Sequence, residues 1–296
     1  LACGGERVSF LGSAPLAHRD YRAISPPGVR PPLSVVAAGI LLALIFLAAL
    51  APWLVTGASP LETNAALSLQ PPSGAHIFGT DQSGRDVFAR VVYGTRYSLA
   101  VGLGATALAL VTGLILGVGA ALGPRIVEGA LSRLIDVLMS FPEFLLALLV
   151  IAVVGTGEAN IPLAVALAAI PAYARVARSE TVVVSQTGYI RAARSLGVHP
   201  IAVVWRHIIP NIVGPLLVMA TIGVGTAIVT ASGLSFLGLG PQPPTPEWGI
   251  MLSEGRNFLA TAWWVGVFPG LAITATVIAI STVGRYFRSR SEVALS

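Results

Sequence analysis

The side chains able to do chemistry are few and poorly placed for catalysis. All 18 basic residues are arginine, and the chain has no lysine. A phosphate-binding loop needs a lysine to reach nucleotide phosphates, and Schiff-base and kinase chemistry need one too. Any work driven by ATP must therefore draw on a nucleotide held by another chain. His18, His76, His199 and His207 lie far apart and form no HExxH-type pair, so a membrane zinc protease is not expected. Ser232 and Ser235 have no His or Lys nearby to activate them. Cys3 is the single cysteine and cannot form an internal disulfide. Leu1-Ala2-Cys3 is only faintly like a lipoprotein cleavage site. No catalytic, cofactor-binding or metal-binding residue is expected in this chain.

Two features do suggest a task. The first is Glu143, which interrupts an apolar stretch together with Pro142. A helix beginning near Arg133 would carry Glu143 about 15 Å inward at the helical rise. A charged carboxylate at that depth costs about 2.5–3.5 kcal/mol on insertion scales, so it is expected to face a bundle interior or a wet cavity. It either lines a pathway or is a structural acid that snorkels or stays neutral. The second is the pair Arg191 and Arg194, three residues apart on one helical face around the small Ala192 and Ala193. Such a helix either plugs an acidic groove on a partner or lies on anionic headgroups.

The elements that must position these residues are membrane spans. The 296 residues are 55% hydrophobic and 10% charged, against roughly 25% charged in soluble domains. That excludes a soluble globule, and the apolar content also excludes disordered, collagenous and disulfide-stapled classes. Uncharged stretches long enough to cross a bilayer predict an all-α polytopic membrane protein with six transmembrane helices. The first covers 34–56. The others are near 97–122, 134–155, 159–174 (short, broken by Pro162 and Pro171), 212–232 and 260–283. With the N-terminus inside, only Arg85, Arg90, Arg96 and Arg256 fall on the outer side. This positive-inside bias puts both termini in the cytosol. It also makes the arginines topology signals rather than a nucleic-acid surface. Residues 1–33 form a proline-containing cytosolic leader, 57–95 an extracytoplasmic segment, 96–283 a core of five spans, and 284–296 a cytosolic tail. A loop at 175–210 is too long to be a simple connector.

That loop continues ARVARSETVVVSQTGYIRAARSLGVHPIAVVWRHIIP over 174–210. The pattern predicts a helical continuation of the fourth span to Gln186, a break at Gly188, and a short helix from Tyr189 to Leu196 capped by Gly197. A further helix is expected from His199 to Ile209, ended by Pro210. Outside, FGTDQSGRDVFARVVYG (78–94) has turn chemistry followed by an amphipathic surface helix from Asp86 to Tyr93. Arg85 with Asp81, or Arg90 with Asp86, are the expected ion pairs. In ASGLSFLGLGPQPPTPEWGIML (231–252), glycines permit a helix break and prolines prevent its resumption, with Trp248 expected as an interfacial anchor. Asp136 is expected to pair with Arg133. Gly113-xxx-Gly117 and Gly119-xxx-Gly123 allow close helix packing.

Four of these stretches, in order, resemble the dipeptide/oligopeptide/nickel family of ABC-importer permeases, of the second-subunit type. RAARSLG (191–197) with Ile208, Ile209 and Pro210 resembles the EAA loop, with Ala192, Ala193, Gly197 and Pro210 matching. Arg191 stands where that signature has glutamate, as is common in the peptide-importer branch; His207 and Ile209 also depart from it. The stretches 78–94, DVLMSFP (136–142) and 231–252 resemble the other motifs. The resemblance implies a type I ABC importer permease fold in the plasma (inner) membrane. Tyr189, Arg191, Ala192, Ala193, Arg194, Gly197 and Pro210 then belong to a cytosolic coupling helix and its loop, seated in an ATP-binding subunit. Glu143, Ser232, Ser235 and Phe236 become pathway or gate candidates, Glu143 meeting a peptide's amino group. The outer segment is then a structural lid or a contact for a substrate-binding protein. The implied partners are a homologous second permease, two ATP-binding subunits that hold ATP and Mg, an extracytoplasmic substrate-binding protein and membrane lipid, without nucleic acid. The function implied is import of dipeptides or oligopeptides by alternating access. Haem or nickel is the alternative cargo; an ion-coupled carrier would show inverted repeats and several intramembrane charges.

Overall fold

A computed structural model of the chain describes residues 31–295. The leader, with Cys3 and His18, lies outside the described residues apart from its last positions. Among the described residues the structure is helical, with one isolated bridge between Thr80 and Asp86. Five helical runs are long and apolar enough to cross a membrane, and six if one bent pair counts as a span.

Helix α1 (Leu33–Leu50) begins just after Pro31-Pro32 and carries no charge. It stops where Ala51, preceding Pro52, is kept out of the helical region at φ −136° and ψ 64°. Helix α2 (Val87–Leu122) is 36 residues long, about 54 Å at the helical rise and well beyond a ~30 Å hydrocarbon core. Asp86 caps it by accepting the Ala89 N–H at 2.8 Å. The expected surface helix at 86–93 and span at 97–122 are therefore one rod. Gly94 and Thr95 do not break it, because both are buried against neighbours.

The expected third span is split. Helix α3 (Arg125–Met139) and helix α4 (Glu143–Val154) meet at a 101° bend. Pro142, which has no N–H to continue α3, stands as the N-cap of α4. Glu143 thus opens a helix instead of lying ten residues into one. Asp136 pairs with Arg175 at 3.1 Å, not with Arg133, and Glu128 pairs with Arg178 at 3.1 Å. Both ion pairs tie α3 to α5 (Asn160–Ser185).

Helix α5 corrects another expectation, since it runs unbroken through both prolines. Pro162 sits in the first turn, where its missing N–H is free anyway, and Pro171 is interior. Next come α6 (Gly188–Ser195) and α7 (Pro200–Val203). A wide π turn over Val204–Ile208 then leads directly into α8 (Ile209–Phe236). Pro210 was expected to end a helix here but lies in the first turn of α8. The widened turn takes its ring, and the amide of Asn211 donates to the His207 carbonyl at 2.5 Å. Helix α8 stops before Gly238, whose φ is +82°. Two further helices follow, α9 (Trp248–Gly255) and α10 (Trp264–Leu295).

The most extensive helix contact is between α2 and α5. Gly113 and Gly117 make it possible. A Cβ on Gly117 would sit 2.5 Å from the Ala174 carbonyl oxygen and 2.6 Å from the Ala177 Cβ, and one on Gly113 would collide with Tyr173. The second pair behaves differently, because Gly119 has nothing within 4 Å. Gly117→Leu is therefore expected to destabilise the fold by about 2 kcal/mol or more, while Gly119→Leu leaves it unchanged. Thermal unfolding of the purified protein in detergent, followed by tryptophan fluorescence, checks the difference; equal midpoints would refute this packing.

Candidate functional site

Three places hold the residues singled out above. The first is the loop between α5 and α8. Ile190 of α6 is completely buried, in a cluster with Tyr173 and Ala177 of α5 and Ile208, Ile212 and Leu216 around α8. This apolar anchor seats α6 in a cluster that both long helices share. Arg191, Ala192, Arg194 and Gly197 stay exposed and Ala193 is half-buried. Leu196 is 84% exposed, and Tyr189 packs edge-on to His207. Gly197 follows the helix with φ +77°. Its N–H donates to the Arg194 carbonyl at 3.0 Å, and the Val198 N–H donates to the Ala193 carbonyl at 3.2 Å. That closure uses the left-handed region that glycine enters without strain.

The second place is a cavity of about 860 Å³. Its walls come from α2, α4, α5 and α8, with Arg288 of the last helix. Glu143 lines it, with Thr106, Tyr173 and Gly223, and Glu180, Pro210 and Arg288 lie along its length. Tyr173 is about midway along α5 and Gly223 about midway along α8, so the cavity reaches from mid-helix depth toward the end that carries α6.

The third place is the opposite end. Here the structure separates Ser232, Ser235 and Phe236 from Glu143. None of the three lines the cavity. Ser232 and Ser235 are buried under α9, where a Cβ on Gly249 would meet Ser232 at 2.5 Å and Ser235 at 2.8 Å. The Arg256 guanidinium lies 5.5 Å over the Phe236 ring. Glu247 caps α9 by accepting the Gly249 and Ile250 N–H groups at 2.8 and 2.9 Å. Burial pushes its carboxyl above the usual carboxylate range, and the two N–H bonds and the Ser235 hydroxyl pull it back. Trp248, expected at an interface, is instead only 1% exposed and donates from Nε1 to the Val91 carbonyl at 2.9 Å.

Beside α9 lies an ion cluster. Arg85 donates from Nε to Asp81 at 2.6 Å, and Arg90 pairs with the same carboxylate at 3.2 Å. Glu254 of α9 reaches both arginines, at 3.3 Å to Arg85 and 2.9 Å to Arg90, and accepts from the Gln82 amide at 3.0 Å. The pairing of Arg85 with Asp81 is as expected; that of Arg90 with Asp86 is not. Asp86 instead caps α2 and meets His76 at 2.8 Å. Sequence reasoning missed Glu254, Glu247, Tyr173 and Thr106. Two buried-side arginines in 78–94 needing a second acid were the only hint of Glu254.

Comparison with known proteins follows the same lines. Residues 109–292 match the family described as binding-protein-dependent transport system inner membrane component. The chain is 39% identical, over 92% of its length and 91% of the relative's, to the dipeptide transport system permease protein DppC of Alkalihalophilus pseudofirmus. It is 44% identical, over 72% of its length and 71% of the relative's, to the glutathione transport system permease protein GsiD of Pectobacterium atrosepticum. Among solved structures, the inward-facing MetNI methionine ABC transporter aligns with a TM-score of 0.53 at 23% identity, covering 68% of this chain and 96% of that one. This last likeness concerns the fold.

Proposed function

Because the chain belongs to the family of binding-protein-dependent transport system inner membrane components, we propose that it is the permease subunit of an ABC importer carrying dipeptides or oligopeptides. The peptide cargo rests on the relatives that resemble it over most of its length. The α6 end faces the cytosol, where the arginines concentrate, and both termini lie on that side. Two ATP-binding subunits supply ATP and Mg there. A homologous second permease completes the path, and a substrate-binding protein delivers cargo at the outer end.

One observation carries the reading. The exposed helix α6 lies in the chain between the helices that wall the cavity, α5 and α8, and Ile190 seats it in an apolar cluster to which both contribute. A partner that grips Tyr189, Arg191, Ala192, Ala193, Arg194 and Gly197 moves both walls together, with Pro210 at the base of the second wall. Packed side chains transmit such a displacement because cores resist continuous deformation. Glu143 lines the path. Ser232, Ser235 and Phe236, held closed under α9 and Arg256, form the outer gate. ATP closure of the partners shuts the inner mouth and opens this gate, and hydrolysis resets it.

The test is reconstitution. The assembly in proteoliposomes with its binding protein is expected to accumulate labelled dialanine only when ATP is inside with the ATPases, and the lone chain to hydrolyse none. ATP hydrolysis by the lone chain, or ATP-independent accumulation, sinks the proposal.

A further inference from the structure

The cavity holds a feature that the transport reading does not use. Halfway along it, two buried hydroxyls have no hydrogen-bond partner: Tyr173 Oη and Thr106 Oγ1. Tyr173 is 3% exposed and Thr106 5%. Both residues line the cavity, and so does Glu143. The Tyr173 hydroxyl lies against Gly223, where a Cβ would collide with it, and the Thr106 methyl lies 3.5 Å from the same point, so the two side chains meet beside that glycine. Glycine at that position leaves the tyrosine its place across the gap between α5 and α8. Unpartnered buried polar atoms are rare and costly, so a cluster of them in a cavity calls for a ligand.

The chemistry of the set is selective. A carboxylate accepts only, and each hydroxyl offers lone pairs. One carboxylate and two hydroxyls, brought to the cavity by three helices, match the three N–H bonds of a primary ammonium, and an ionised carboxylate matches its positive charge. The remaining wall is mostly apolar, with Ala105, Val165, Met219 and Ile222, which strengthens the charge interaction by keeping the local dielectric low. A carboxylate-bearing group is repelled, and a quaternary ammonium has no N–H to give.

We propose that Glu143, Tyr173 and Thr106 form a subsite inside the permease that holds the protonated primary amino group of the cargo. This inference rests on the reading of the cavity as the transport path. It makes the permease itself a reader of the cargo's cationic end, in addition to any selection by a binding protein. Glu143 supplies the charge; Tyr173 and Thr106 fix the position of the nitrogen.

The experiment measures binding by equilibrium dialysis to the purified membrane assembly, without nucleotide or binding protein. The probes are labelled alanyl-alanine amide, a cation at pH 7, and its N-acetyl derivative, which is neutral and otherwise alike. The wild type is expected to favour the cation by about tenfold or more, as a charge-assisted bond implies. Glu143→Gln is expected to abolish that preference. Tyr173→Phe and Thr106→Val are each expected to lower affinity for the cation about threefold and leave the neutral probe unchanged. These two conservative variants carry the test if Glu143→Gln fails to assemble. Equal affinity for both probes in the wild type, a preference that survives the substitutions, or no saturable binding overturns the proposal. ATP-driven uptake, assayed on the same preparation, tests the transport reading separately, since the binding preference needs no ATP.

Discussion

Glu254→Ala is expected to be the most destabilising single change at the end of the molecule opposite α6. It leaves Arg85 and Arg90, whose side chains are 4% and 1% exposed, sharing the one carboxylate of Asp81. Breaking a buried ion pair by deleting one partner costs about 3–5 kcal/mol, because an uncompensated charge remains in the interior. Most of that cost is the burial of the remaining charge rather than the worth of the lost bonds. Two consequences separate this from a surface effect. Raising salt to about 1 M should change the wild-type midpoint little, since a buried cluster is poorly screened. Replacing Glu254 together with Arg90 (Glu254→Leu with Arg90→Met) should recover much of the loss, because the orphaned charge goes too. Thermal unfolding of the detergent-purified chain reads all three; a Glu254→Ala midpoint within error of wild type would show that the cluster does not hold α9 to the segment before α2.

The second large effect concerns coupling. Gly197→Val forces a β-branched residue into φ +77°, a conformation costing L-residues roughly 1–2 kcal/mol. The expected response is a helix end that no longer closes, and a displaced Leu196 and Val198. Ala193→Trp acts on the same helix by bulk, blocking close approach by a partner. Each change is expected to reduce ATP-driven peptide uptake by about tenfold or more, since 1.4 kcal/mol is already a factor of ten in docking. Membrane insertion should persist, because neither residue lies in an apolar span. The decisive readout is the ratio of uptake to ATP hydrolysis in the reconstituted assembly, alongside the amount of ATPase that co-purifies. Uptake at wild-type levels in both variants would remove α6 from the coupling role.

The difference between these two predictions reflects what a sequence can hold. The α6 loop is largely legible because its signals are local: two arginines share a face and Gly197 closes the turn, whereas Gly188, expected as the break, is the first residue of α6 and the helix breaks at Gln186 and Thr187. Ile190, the residue that fastens α6 down, was not singled out, since one isoleucine among many carries no mark of where it points. Glu143 stands out as a charge in an apolar run, but its place along a helix does not follow from the sequence. Pro142 gives a 101° bend and starts a new helix there, and a proline in an apolar stretch is compatible with either outcome, as the unbroken α5 with Pro171 shows.

By itself the sequence determined the class of protein, the approximate spans and the asymmetry of its two ends. Composition, span length and arginine placement each act through the bilayer, which imposes one length and one charge rule on every segment. Tertiary structure alone decided which groups meet. Arg90 and Glu254 are 164 residues apart in sequence, and Tyr173, Thr106 and Glu143 come from three different helices around one cavity. Side-chain contacts between helices depend on their rotation and relative height. Those are set by packing at positions such as Gly117, and no fixed spacing along the chain records them.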